Sequence, residues 1–126
     1  MEKEEAESYL HKKVENGEIV SPVLPDGIKN YLIDIDGTIC TNTFGSYELA
    51  KPFLKNIEKV NKLYDAGHKI VYWTARGSKT KIDWADLTKK QLDLWGAKHH
   101  DLVLGKPHYD LYVDDKSLNS MNFFSN

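Results

Sequence analysis

Four short apolar segments and two longer amphipathic segments alternate along most of the chain, and this pattern constrains the fold more than any other feature. The apolar segments are almost continuously hydrophobic, which is typical of strands in a parallel sheet that is covered on both faces. The predicted strands cover residues 31–35, 69–73, 101–104 and 110–113, and the predicted helices cover about 51–66 and 81–95. We therefore expect a three-layer, Rossmann-like α/β domain with a short parallel sheet.

The length of 126 residues fits one domain. Residues 1–27 are predicted to be a charged N-terminal extension and connector, and residues 28–126 the folded domain. Residues 1–6 are too polar for a signal peptide. No apolar run approaches the ~20 residues that a membrane helix needs. A cytoplasmic protein without membrane contact is the expectation, and the single cysteine, Cys40, excludes an intramolecular disulfide.

The charge balance gives no general attraction to polyanions. Lysine and arginine together number 17, aspartate and glutamate 19, and the formal net charge is −2. A nucleic-acid-binding domain usually carries a clear basic excess. We therefore expect no nucleic-acid partner and look for a small-molecule site.

Polar side chains with the chemistry of a phosphate site follow each predicted strand. Ligands of open parallel sheets bind beyond the carboxyl ends of the strands, where such residues converge. Carboxylates from two strands suit Mg²⁺, while a threonine hydroxyl and basic side chains suit a phosphate. An aspartate there can attack phosphorus, and a second one can act as acid and base. The residues, in strand order, are Asp34 and Asp36, Thr74 and Arg76, Lys106, and Asp114 and Asp115.

These residues stand in segments that resemble, in the same order, the four motifs of the haloacid dehalogenase superfamily. The segments are Asp34-Ile35-Asp36-Gly37-Thr38, Trp73-Thr74-Ala75-Arg76, Lys106-Pro107 and Tyr112-Val113-Asp114-Asp115-Lys116. The resemblance covers residues 28 to about 118.

The resemblance implies a role for each of these residues. Asp34 would be the nucleophile and Asp36 the acid/base, with Thr74 and Lys106 on the phosphate. Asp34, the backbone carbonyl of Asp36, and Asp114 would hold Mg²⁺, and Asp115 is a further candidate ligand. Arg76 would hold substrate or merely pair with a carboxylate, and these two alternatives stay open.

The gaps between the motifs leave no room for a cap domain, so the chain resembles the capless phosphatases. Its motif forms are similar to those of small members linked to bacterial surface-polysaccharide synthesis. Without a cap, specificity needs other walls: a flap carrying Phe44 and Tyr47, a second subunit of a homo-oligomer, or a large substrate. One feature fits poorly, because the link 105–109 is too short for an ordinary parallel crossover. Either the fourth strand is very short and the link crosses in an extended form, or residues 101–104 are not a full sheet strand. Lys106 would then be placed by an extended loop and not by a helix.

The expected activity is Mg²⁺-dependent hydrolysis of a small phosphate monoester, such as a sugar, sugar acid or polyol phosphate, through an aspartyl-phosphate. Phosphoryl transfer to a second substrate is an alternative because it uses the same intermediate. A non-catalytic phosphate-binding or regulatory module is the alternative from another class. A zinc site at His99, His100 and His108 is disfavoured, since their spacing matches no common motif.

Overall fold

The computed structural model describes residues 26–125. The predicted extension, residues 1–27, lies outside the described residues except for Asp26 and Gly27, which form a turn before the first strand. The described part is a small Rossmann-like α/β domain built on a parallel sheet, as the alternating pattern predicts. Its connections contain no inserted cap domain within these residues.

Three parallel strands form the sheet, in the order β1-β2-β3. They are β1 (Asn30–Ile33), β2 (Lys69–Thr74) and β3 (Asp101–Leu104). Ile33 pairs with Tyr72, and Thr74 pairs with Leu104. Since the strands are parallel, their carboxyl ends share one edge of the sheet, with the end of β2 between the other two. Three of the four predicted strands are therefore confirmed.

The fourth predicted strand, residues 110–113, is wrong. These residues form neither strand nor helix, and Leu111 and Val113 are 79% and 85% exposed. After β3 the chain has only residues 105–109 in which to cross to the far side of β1, fewer than a parallel connection requires. The outer edge of β1 has no strand partner among residues 26–125. As a consequence, Asp114 and Asp115 do not sit at the end of a strand.

Two longer helices connect the strands, and a short one ends the described region. They are α1 (Leu54–Asp65), α2 (Ala85–Leu94) and α3 (Ser120–Phe123), with a 3-10 helix at Tyr47–Leu49. The two predicted helices are confirmed with later starts. Lys81 has a φ of 62°, a left-handed conformation that a helix cannot contain, so α2 starts beyond it.

The main core lies between the sheet and the two longer helices. Ile57 and Val60 from α1 and Leu92 from α2 belong to the same buried cluster as Ile70 and Tyr72. Ile70 and Tyr72 lie two apart on β2 and therefore share one face of the sheet. Both helices thus cover the same face, and within residues 26–125 no helix of comparable length forms the third layer that the sequence predicts. The opposite face carries a smaller cluster of Val71, Trp73 and Val103.

A tight turn after β2 ties the strand end to the loop that follows β3. Gly77 has a φ of 82°, and its backbone oxygen accepts a hydrogen bond from the Lys81 N–H at 2.7 Å. The Ser78 hydroxyl, in the same turn, donates to the backbone oxygen of Lys106 at 2.6 Å. The turn therefore fixes both Arg76, which precedes it, and the backbone of Lys106.

This packing predicts that Gly77→Ala destabilises the domain far more than Gly27→Ala. The two glycines have matched φ values of 82° and 83°, so an alanine meets similar backbone strain of about 1 kcal/mol at each. A Cβ at Gly77 would also lie 2.2 Å from the Ile82 backbone oxygen, whereas one at Gly27 meets nothing within 4 Å. We expect Gly77→Ala to lower the free energy of unfolding by about 2 kcal/mol more, measured by urea denaturation. Equal losses would contradict this turn geometry.

Candidate functional site

Asp34 and Lys106 approach each other across the end of the central strand. Asp34 directly follows β1, and Lys106 lies two residues beyond β3, where its N–H donates to the Thr74 backbone oxygen at 3.1 Å. The Lys106 Nζ lies 3.6 Å from Asp34 Oδ1, and the two side chains are 10% and 33% exposed. The loop after β3 thus places a largely buried cation beside the predicted nucleophile, as expected for an extended loop.

The surroundings of Asp34 have opposing effects on the pKa of its carboxyl group. Burial is the larger effect and raises the pKa of the Asp34 carboxyl above its usual range. The Lys106 ammonium, the Ile35 backbone N–H and the Thr38 hydroxyl oppose this rise by stabilising the carboxylate. Thr38 Oγ1 donates to Asp34 Oδ2 at 3.3 Å. Each carboxylate oxygen therefore has its own neighbour: Lys106 at Oδ1 and Thr38 at Oδ2.

Asp36 is held by a bidentate ion pair with Arg76. Arg76 Nε donates to Asp36 Oδ2, and Nη2 donates to Oδ1, both at 2.9 Å. The Arg76 side chain is fully buried, while that of Asp36 keeps 18% of its surface exposed. Gly37, with a φ of 80°, lets the chain turn directly after Asp36, and the Thr38 N–H closes the turn onto the Ile35 oxygen.

The remaining donors of Arg76 are also engaged within the protein. Nη1 donates to Thr88 Oγ1 at 3.1 Å and to Gln91 Oε1 at 2.6 Å, and Nη2 lies 3.9 Å from Cys40 Sγ. A guanidinium has five N–H donors, and these contacts account for all of them. The predicted contact of Arg76 with a phosphate is therefore not supported. The geometry favours the other alternative, in which Arg76 pairs with a carboxylate.

Thr74, at the end of β2, is 1% exposed, and its hydroxyl oxygen accepts the backbone N–H of Arg76 at 3.1 Å. The structure thus places it at the strand ends, as predicted, but with the hydroxyl turned to the following backbone. Its role as a phosphate ligand stays a prediction.

A cleft of about 880 Å³ opens beside Asp34 and runs along β1. Three carboxylates that the sequence predicts as metal ligands, Asp34, Asp36 and Asp114, line it together with Lys106. Aromatic side chains form much of the remaining wall, among them Trp73, Tyr109 and Tyr112. The cleft therefore offers a charged end at the strand termini and a largely apolar extension, which is the usual composition of a small-molecule site.

The carboxylates have the right chemistry for Mg²⁺ but are not gathered into a cage. Asp114 is exposed, and its Oδ2 accepts the backbone N–H of Lys116 at 3.1 Å. Asp115 is also exposed and does not line the cleft. Within the part of the chain that the structure describes, no group of three or more histidine, cysteine, aspartate or glutamate side chains could hold a metal. The described conformation therefore has no three-carboxylate cage, and a Mg²⁺ ion here would be held by one or two carboxylates and retained waters.

The predicted flap is divided between an exposed tip and an anchored base. Phe44 is 90% exposed, with a φ of 53°. Tyr47 instead packs edge-on against Trp84 at 5.0 Å between ring centroids, and the Arg76 guanidinium lies 4.7 Å from its ring centre. Neither Phe44 nor Tyr47 lines the 880 Å³ cleft. Tyr47 thus supports the ion pair of Asp36, and only Phe44 is positioned like a flap residue.

Sequence reasoning missed the residues that hold Arg76 and Lys106. Thr88 and Gln91 lie three apart on α2, both are buried, and the Gln91 amide nitrogen also donates to the Tyr47 backbone oxygen at 2.7 Å. Polar residues on the buried face of a helix are the signal that could have found them. Tyr109 accepts a hydrogen bond from Lys106, but it belongs to no sequence pattern that predicts this contact.

Cys40 is completely buried, and its thiol lies 3.6 Å from Asp36 Oδ1. Burial, followed by the charge of Asp36, raises the pKa of the Cys40 thiol to about 12. A thiol with so high a pKa is a poor nucleophile at neutral pH. Cys40 therefore acts as a small packing residue beside the ion pair.

Comparisons with known proteins support the fold. No protein-family model matches the chain, and no curated protein matches it. A crystal structure of a structural-genomics target from Vibrio cholerae is similar, with a TM-score of 0.71 and 26% sequence identity. The similarity covers 79% of this chain and 89% of the other. Among residues 26–125, none of the helices has the length and hydrophobicity needed to cross a membrane.

The buried ion pair predicts that Arg76→Met destabilises the protein strongly. Removing the guanidinium leaves the mostly buried Asp36 carboxylate without its ion-pair partner. Thr88 and Gln91 also lose the hydrogen bonds that Arg76 donates to them. Such a loss typically costs about 3–5 kcal/mol. Lys98→Met is the matched control, because Lys98 forms an exposed pair with Asp65 whose side chains are 50% and 57% exposed. That pair should contribute less than about 1 kcal/mol.

Chemical denaturation of the two variants at the same pH measures both values. A loss for Arg76→Met no larger than that for Lys98→Met would show that the Arg76 network does not hold the strand ends together.

Proposed function

We propose that the protein is a phosphate monoester hydrolase of the haloacid dehalogenase type, with Asp34 as its nucleophile. The observation that carries this proposal is the pair formed by Asp34 Oδ1 and Lys106 Nζ, 3.6 Å apart at the carboxyl end of a parallel sheet. A largely buried ammonium can attract a negatively charged phosphate. It can thereby hold the phosphate close to a carboxylate nucleophile, which would otherwise repel it.

Asp34 is proposed to carry out the first half of the reaction. One of its oxygens would form a bond to phosphorus while the bond from phosphorus to the leaving oxygen breaks. Lys106 would neutralise charge on the non-bridging oxygens of the transferred group, since its ammonium lies at the nucleophile. The Thr38 hydroxyl, bonded to Asp34 Oδ2, restricts the rotation of the carboxylate and so directs Oδ1.

Asp36 is proposed for the proton transfers. In the first half, Asp36, which stands as a carboxylate in the ion pair with Arg76, would take up a proton from solvent and pass it to the leaving oxygen. In the second half it takes a proton from the water that attacks the phosphorus of the aspartyl-phosphate, which releases phosphate and regenerates Asp34. Asp36 Oδ1 accepts bonds from Arg76 and from the Cys40 thiol, whereas Oδ2 accepts one bond from Arg76 and keeps a lone pair, and the side chain lines the cleft.

Magnesium belongs to the proposal because of the donor chemistry alone. Four carboxylates, those of Asp34, Asp36, Asp110 and Asp114, line one cleft, and oxygen donors are those that Mg²⁺ prefers. Since they are not gathered in the described conformation, no step of the reaction is derived through the metal.

The substrate is proposed to be a small phosphorylated metabolite, such as a sugar, sugar acid or polyol phosphate. The absence of a cap among residues 26–125 and the four motif-like segments support a place beside capless phosphatases, including those linked to surface-polysaccharide synthesis. Cytoplasmic location and a homo-oligomeric state stay predictions. Phosphoryl transfer to a second substrate would use the same intermediate.

One observation favours a second candidate, a phosphate-binding module without turnover. The carboxylates that would hold a metal are dispersed within the described residues, while the Asp34–Lys106 pair is formed. Such a module would bind orthophosphate or a phosphate ester but release no product.

Phosphate release from p-nitrophenyl phosphate tests the proposal. We expect turnover in the presence of Mg²⁺, loss of turnover in EDTA, and recovery when Mg²⁺ is restored. Asp34→Asn should lower the turnover roughly a thousandfold or more, because a neutral amide cannot form the acyl phosphate. Asp93→Asn makes the same chemical change at an exposed position of α2 and should leave turnover unchanged.

Turnover by Asp34→Asn near the wild-type rate would exclude Asp34 as the nucleophile. Orthophosphate binding by a wild-type protein that never turns over a panel of phosphate esters would favour the binding module instead.

A further inference from the structure

We infer that Tyr109 is a positioning residue for Lys106, which holds the lysine ammonium beside Asp34. The Lys106 Nζ donates to the Tyr109 hydroxyl oxygen at 3.4 Å and lies 5.0 Å from the centre of the Tyr109 ring. The same nitrogen lies 3.6 Å from Asp34 Oδ1. Tyr109 and Asp34 thus contact the same ammonium, and the catalytic consequence of this arrangement rests on the proposed function.

Lys106 needs such support because its side chain is long and its surroundings are mostly apolar. Lysine carries a compact charge on a flexible four-carbon stem, which can adopt many rotamers. The residue is only 8% exposed, so little water is available to solvate the ammonium. The Trp73 ring, whose centre is 5.5 Å from Nζ, provides a second aromatic neighbour. Aromatic faces attract cations, and a hydroxyl adds a direction to that attraction.

Tyr109 contributes little to the packing of the described residues. It is 44% exposed and belongs to an irregular segment, and it is not part of either buried cluster. Its other described ring contact is with Tyr112, at 5.8 Å between centroids. An exposed residue outside the core contributes little to global stability. The contacts of Tyr109 therefore point to Lys106.

A positioning role predicts a specific pattern of kinetic effects. Lys106 would act on the phosphoryl group, which all substrates share, and not on the leaving group. Loss of the Tyr109 hydroxyl should therefore lower kcat/KM by one common factor for substrates with unrelated leaving groups. A tyrosine that contacted the leaving group directly would instead change that factor from one substrate to the next.

The first experiment needs no enzymatic activity. Acetylation of Lys106 by a limiting amount of acetic anhydride, followed by mass spectrometry, reports how firmly its ammonium is held. Tyr109→Phe keeps the aromatic ring, and so the steric cover, but removes the hydroxyl. We expect Lys106 to be labelled at least threefold faster in this variant. Tyr112→Phe, which removes a hydroxyl from the neighbouring ring, should leave the labelling rate of Lys106 unchanged. The exposed Lys98 is the internal standard.

The second experiment is a double-mutant cycle on kcat/KM with p-nitrophenyl phosphate and a hexose phosphate. We expect Tyr109→Phe to lower both values by the same three- to tenfold factor, and to have no further effect in a Lys106→Met background. Unchanged labelling of Lys106 in Tyr109→Phe would overturn the inference. Additive effects in the cycle, or factors that differ between substrates, would also overturn it. If the wild-type protein shows no turnover, the proposed function fails, and the labelling experiment alone decides the role of Tyr109.

Discussion

The rest of the site depends on the ion pair and hydrogen bonds made by the fully buried guanidinium of Arg76. It joins three separate parts of the chain, because it follows β2, pairs with Asp36 after β1, and bonds to Thr88 and Gln91 on α2. A buried charge is tolerated only where its donors are satisfied, and all five are. This pair therefore fixes the loop after β1, and the direction in which Asp36 faces the cleft follows from it.

The ion pair between Asp34 and Lys106 depends on the segments that the Arg76–Asp36 pair holds in place. Asp34 lies two residues before Asp36, and Lys106 is tied to β2 through its backbone N–H and to the turn after Arg76 through the Ser78 hydroxyl. One arginine thus has a structural role, while a lysine a short distance away faces the predicted nucleophile. The difference follows from burial and chemistry: the rigid, planar guanidinium suits a carboxylate inside the protein, and the compact charge of an ammonium suits a phosphate that binds and dissociates.

Sequence reasoning predicted the parallel sheet, its two helices and the meeting of Asp34 with Lys106, because apolar runs and strand ends are local patterns. It did not predict that residues 110–113 stay outside the sheet, because their apolar pattern alone resembles a strand. The deciding constraint was the short link before them. Nor could it choose between the two roles of Arg76, since that choice depends on Thr88 and Gln91, which approach it only in the folded chain.

The most direct test of the central claim is to trap the covalent intermediate. The wild-type protein and Asp36→Asn would be mixed with p-nitrophenyl phosphate and Mg²⁺, quenched rapidly in acid, digested and analysed by mass spectrometry. p-Nitrophenolate leaves with little protonation, whereas breakdown of the acyl phosphate needs a base, so the intermediate should accumulate in Asp36→Asn. We predict one phosphoryl group, located on Asp34. Release of p-nitrophenol with no phosphoryl group on Asp34, or with one on another residue, would contradict the account.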